Sequence, residues 1–133
     1  MTSKQEKITP PTNEKPEGYE DLLVWQKGMA LVKMVYQITQ AFPRDERFGL
    51  VSQTRRAAIS VPSNIAEGQA RHSTGEFVQF ISIAEGSVAE LNTQLLLSVE
   101  LGFYASDHIR ESMELARELR RMLNALRRKL PGR

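Results

Sequence analysis

Residues 73–102, STGEFVQFISIAEGSVAELNTQLLLSVELG, decide the fold. At about 100° per residue, Phe77, Phe80, Ile81, Ala84, Val88, Leu91, Leu95 and Val99 share one face for about six turns. A strand would scatter these side chains over both of its faces, whereas a helix returns them to one. Ser73 with Glu76 three residues later forms a capping box, so the helix begins after Ser73 or Thr74. It reaches about Leu101, and Gly102 ends it. Ile83, Leu97 and Leu101 draw a second, weaker apolar line, interrupted by Glu90. Gly86 weakens the helix by about 1 kcal/mol relative to Ala, for which close approach by a neighbouring helix is the expected reason. The segment holds four acids and no base.

Upstream, the same period predicts a helix over residues 47–69, through GLVSQTRRAAISVPSNIAEGQ. Leu50, Thr54, Ala57, Ala58, Val61 and Ile65 make a small-residue apolar stripe. A polar stripe of Gln53, Arg56, Ser60, Asn64 and Glu67 runs beside it. Pro62 lies inside the pattern, lacks an N–H for the carbonyl of Ala58 and crowds that carbonyl, so a kink is expected. Gly68 reads as a C-terminal stop.

The first helix is expected over residues 19–42, ended by Pro43. It has two apolar faces: Leu22, Trp25, Met29, Val32 and Tyr36 on one, and Val24, Leu31, Val35, Ile38 and Phe42 on the other. Two such faces require two sets of neighbours, the bundle interior and a second subunit. Downstream, a fourth helix begins after Ser106 or Asp107 and reaches Leu130, where Pro131 and Gly132 stop it. Ile109, Ala116, Leu119, Leu123, Leu126 and Leu130 form its core face. Its acids cluster early and its bases late, which suits the helix dipole.

Four long helices on short connections pack as antiparallel neighbours. The expected fold class is all-α, an antiparallel up-down four-helix bundle over residues 19–133 with a Pro-kinked second helix. Residues 1–18, polar and carrying Pro10, Pro11 and Pro16, are expected to be a disordered tail. At 133 residues without cysteine, the chain needs no staples for a core and has no disulfide or thiolate chemistry. No apolar run approaches the roughly 20 residues of a membrane span, and residues 1–18 lack the apolar centre of a signal peptide. A cytoplasmic location away from membranes is the expectation.

The net charge of +2 conceals an asymmetry. From Arg117 to Arg133 there are seven Lys or Arg against one acid, and the rest of the chain is net negative. Arg110, Arg117, Arg121 and Arg128 fall within about 40° of one another on the helix, pointing away from the leucine face, with Arg120 and Arg127 flanking the core. Guanidinium forks at this spacing suit successive phosphates. The alternative is an ordinary solvated face, softened by Glu114 and Glu118 and by the acidic third helix beside it.

Catalytic and metal patterns are weak. His72 and His108 sit at helix junctions without the same-face spacing of a metal pair. Ser106 and Asp107 before His108 read as helix capping rather than a triad. Glu85 and Glu90 lack the Glu-x-x-His partner of di-iron bundles. No catalytic residue, metal or cofactor is expected.

Three segments, DLLVWQKGMALVKMVY, FPRDERFGLVSQTRRAAISVPSNIAEGQAR and EFVQFISIAEGSVAEL, resemble the 23S ribosomal RNA intervening-sequence protein family, also called four-helix bundle proteins. The resemblance runs from about Tyr19 to Leu130 and is most specific from Gln53 through Arg55-Arg56 and Pro62-Ser63-Asn64 to Gly68. It implies a four-helix bundle assembling as a homopentamer. The chain is also similar to accessory proteins of diversity-generating retroelements, which share the bundle and ring, carry a basic surface, and bind nucleic acid and a reverse transcriptase. The family has no agreed catalytic residues to carry over.

The functional expectation is a non-catalytic oligomer that binds RNA or DNA backbone through Arg110, Arg117, Arg120, Arg121, Arg127 and Arg128. The subunit interface is expected at Gln53, Arg56, Ser60 and Asn64, with Val24, Leu31 and Ile38. A protein-interaction scaffold that does not touch nucleic acid is the alternative.

Overall fold

The computed structural model describes residues 18–131, so the expectation of a disordered tail lies almost wholly outside the described residues. Within them are helices α1 (Leu23–Thr39), α2 (Leu50–Gln69), α3 (Thr74–Glu100) and α4 (Ser106–Lys129), with single 3-10 turns at Tyr19–Asp21 and Arg44–Glu46. α1 lies against α2 and α4, and α3 against the same two, while neither diagonal pair approaches closely. That is the up-down four-helix bundle of consecutive antiparallel neighbours.

The core is the stripe read from the third helix and its counterparts. Ile81, Ala84, Val88, Leu91 and Leu95 of α3 are fully buried against Val61 and Ile65 of α2 and Leu119 and Leu123 of α4. Burying a Leu, Ile or Val contributes about 1.5–3 kcal/mol, so this layer is a substantial source of stability. Phe42 sits 5.8 Å from Phe103 and 6.3 Å from Tyr104, closing the end of the bundle where the first and third connections meet.

Several ends are set as expected. Ser73 Oγ accepts the Glu76 N–H at 3.1 Å at the start of α3. Gly102 follows α3 at φ 77°, a left-handed conformation that favours glycine. Others differ. α1 stops at Thr39, and α2 starts only at Leu50, after the 3-10 turn and Gly49. There Glu46 Oε1 accepts the Leu50 N–H at 3.0 Å. α4 opens on Ala105, with no side-chain cap. Gly68 is not a stop: a Cβ placed there would lie 2.5 Å from Phe80 Cβ, so its lack of a side chain is what lets α3 close onto α2.

Val24, Leu31 and Ile38 are corrected. They are 5 %, 0 % and 5 % exposed within a single protomer, and so cannot serve as a subunit surface. The face of α1 left partly open is the other one, where Met29 and Tyr36 remain exposed. The two faces are adjacent on the helix, and the docking of α2 and α4 decides which is covered.

Candidate functional site

The six arginines assigned to α4 separate into three environments. Arg127 turns inward, and its Nε donates to Glu85 Oε1 of α3 at 3.1 Å with both side chains largely buried. This is the neutralisation expected between the acidic third and basic fourth helices, and it removes Arg127 from the list of free cations. Arg110 pairs with Asp107 one turn earlier at 3.5 Å, both well exposed. Arg117, Arg120, Arg121 and Arg128 are exposed and have no carboxylate partner among the described residues.

Arg117, Arg120 and Arg121 converge with Asn124 around a shallow depression of about 450 Å³. Residues three and four apart on a helix are surface neighbours, so the guanidiniums repel one another unless an anion sits between them. Glu118, expected to soften the stripe, instead meets Lys27 of α1 at 3.5 Å. The depression therefore offers three forked cations and an amide to an anion such as a phosphate.

The polar stripe of α2 is split. Ser60 and Ser87 hydroxyls are 2.7 Å apart, and Asn64 Nδ2 donates to the Ser60 carbonyl at 2.7 Å and to its Oγ at 2.8 Å. Ser60 thus joins α2 to α3 inside the protomer with Asn64 bonded to it from within α2, while Gln53 and Arg56 remain exposed.

A second feature escaped the sequence reading. Tyr36 of α1 and Val51, Arg55, Arg56 and Ile59 of α2, with Arg47 and Phe48 before it, line a groove of about 600 Å³. It continues along the α1/α2 seam into a smaller hollow lined by Met29, Val32, Ile59 and Pro62. The Arg55 guanidinium lies 4.3 Å from the Tyr36 ring centre, and its Nε donates to Thr39 Oγ1 at 2.8 Å. Phe48 is 87 % exposed, an unusual placement for a large apolar ring. The available signal was the pair of apolar faces on α1, of which one had to be left open.

Among the described residues, no three His, Cys, Asp or Glu side chains come together as a cation site. No helix among the described residues is long and apolar enough to cross a membrane. The family model described as 23S rRNA-intervening sequence protein matches residues 20–125. Among curated proteins, none matches the chain.

Proposed function

Because the chain belongs to the 23S rRNA-intervening sequence protein family, we propose that it works as a non-catalytic, self-associating bundle that binds the phosphate backbone of RNA or DNA through α4. The observation that carries this reading is the convergence of Arg117, Arg120 and Arg121 with Asn124, without an acid to neutralise them. Arg128 extends the same face by two turns. The contacts are to backbone, so affinity depends on charge and spacing more than on base identity. Self-association into a ring, with five copies as the resemblance implies, would repeat the α4 surface and multiply its avidity.

A filter-binding titration of the full chain against structured RNA and duplex DNA tests the reading. Replacing Arg117, Arg120 and Arg121 together by Ala is expected to weaken binding by roughly tenfold or more. Unchanged affinity overturns the assignment to α4.

The second reading is a protein-interaction scaffold. The exposed Phe48 and the groove beneath it support it, since such patches mark protein contacts. A protein that stays bound after nuclease treatment favours this reading over the first.

A further inference from the structure

The exposed side of α3 carries large apolar side chains among its polar ones. Ile83 and Leu97 are 51 % and 44 % exposed, and they lie fourteen residues apart, with Glu90 midway between them. Every seventh residue returns to within about 20° of the same line, so the three share one edge of the helix. Gly86 lies on this edge. A Cβ built on it meets nothing within 4 Å, so no neighbour among the described residues explains the glycine. Mid-helix glycine weakens a helix, and the expected compensation is close backbone approach by another segment. Among the described residues no such segment approaches Gly86.

The groove along α1 and α2 is the matching surface. It is apolar at Tyr36, Ile59 and Phe48, and it carries Arg47, Arg55 and Arg56, none of which is ion-paired with a carboxylate among the described residues. None of the residues lining it is acidic, and Glu46, just before Arg47 in the chain, accepts the Leu50 N–H at the start of α2. α3 is the reverse, with four acids and no base.

We propose that the outer edge of α3, at Ile83, Gly86, Glu90 and Leu97, seats in the α1/α2 groove of a second copy, with Glu90 facing the guanidiniums of Arg55 and Arg56. The contact is a helix laid into a groove with apolar anchors at helical spacing. Its two halves are different surfaces of one chain, so the interface is heterologous, and each copy both gives an edge and receives one. Such contacts close into rings or run on as filaments, whereas a two-fold dimer would use one surface twice. The α4 arginines take no part in it. This inference rests on the self-association proposed above and names its surfaces.

The test uses two full-length variants, Ile83→Arg on the α3 edge and Ile59→Arg in the groove, both at exposed positions. Helical content and melting temperature near wild type establish that each is folded, and Gly86→Leu and Phe48→Glu replace any that is not. Solution mass is measured by light scattering at high concentration. The wild type is expected to be a multimer, and each variant alone a single protomer. An equal mixture of the two is expected to give twice the protomer mass, because one intact edge and one intact groove remain. Variants that keep the wild-type mass overturn the inference and leave self-association standing, as does a mixture that stays at protomer mass. A wild type that is itself a single protomer overturns both.

Discussion

Arg127 and Arg128 are adjacent in the chain, yet the first bonds Glu85 on α3 through its Nε at 3.1 Å while the second stands in solvent. One residue step turns a helical side chain by about 100°, which separates an internal clamp from a surface cation. Glu85 Oε2 is buried without a hydrogen-bond partner, so the contact to Oε1 is the one ion pair this carboxylate makes among the described residues.

Replacing Arg127 by Ala is therefore expected to act on stability. The largely buried carboxylate loses the one cation paired with it among the described residues, at a cost of about 1–3 kcal/mol. Urea denaturation should show a lowered midpoint, and the denatured-state slope should be unchanged. Nucleic-acid affinity at a temperature where the variant is folded should fall less than for Arg121→Ala. The Arg121 variant, altered on an open surface, should lie within about 0.5 kcal/mol of the wild type in stability.

Gly68→Ala should be destabilising even though Ala is the better helix former. The new methyl would press on Phe80 Cβ at 2.5 Å and on Phe77 Cδ1 at 3.1 Å. Overpacking of this kind costs about 1–3 kcal/mol. Thermal unfolding followed by circular dichroism checks it, and a melting temperature raised above the wild type would show that α2 and α3 are not so closely held.

Gly86→Ala makes the contrasting case. No atom of the described residues outside the helix's own backbone and the adjoining residues lies within 4 Å of the new methyl. In the Ile83→Arg background, where the outer edge of α3 is blocked, the substitution should raise stability by about 0.5–1 kcal/mol. Denaturant titration of the single and double variants measures the difference, and a loss of stability would place an unseen neighbour within the protomer.

Ser73→Ala removes the hydroxyl that accepts the Glu76 N–H at 3.1 Å. The loss should be about 1 kcal/mol, concentrated at the start of α3. Hydrogen exchange at the first-turn amides of α3 should quicken before exchange in the α3 core does.

Much of the bundle was legible because it rests on local rules. The Ser73 and Glu76 cap, the stop at Gly102 and the buried line from Ile81 to Leu95 each follow from spacing along one helix. What escaped depends on how helices meet. Both apolar faces of α1 satisfy the same periodicity, and only the positions of α2 and α4 bury Val24, Leu31 and Ile38 while opening Met29 and Tyr36. Gly68 fits a helix stop as well as it fits a close contact, and only the rings of Phe77 and Phe80 distinguish the two. In the candidate site, the outward direction of Arg117, Arg121 and Arg128 could be read from a wheel. The capture of Arg127 by Glu85, forty-two residues away, could not.

Phosphate binding by the α4 guanidiniums is tested most directly by the salt dependence of affinity, measured for the wild type and for the Arg117, Arg120 and Arg121 triple Ala variant. The logarithm of the binding constant should fall linearly with the logarithm of salt concentration, by about 0.7–0.9 per phosphate contacted. The triple variant should bind more weakly, with a slope shallower by about two to three contacts. Equal slopes and equal affinities for the two proteins would contradict the assignment of α4 as the surface that meets nucleic acid.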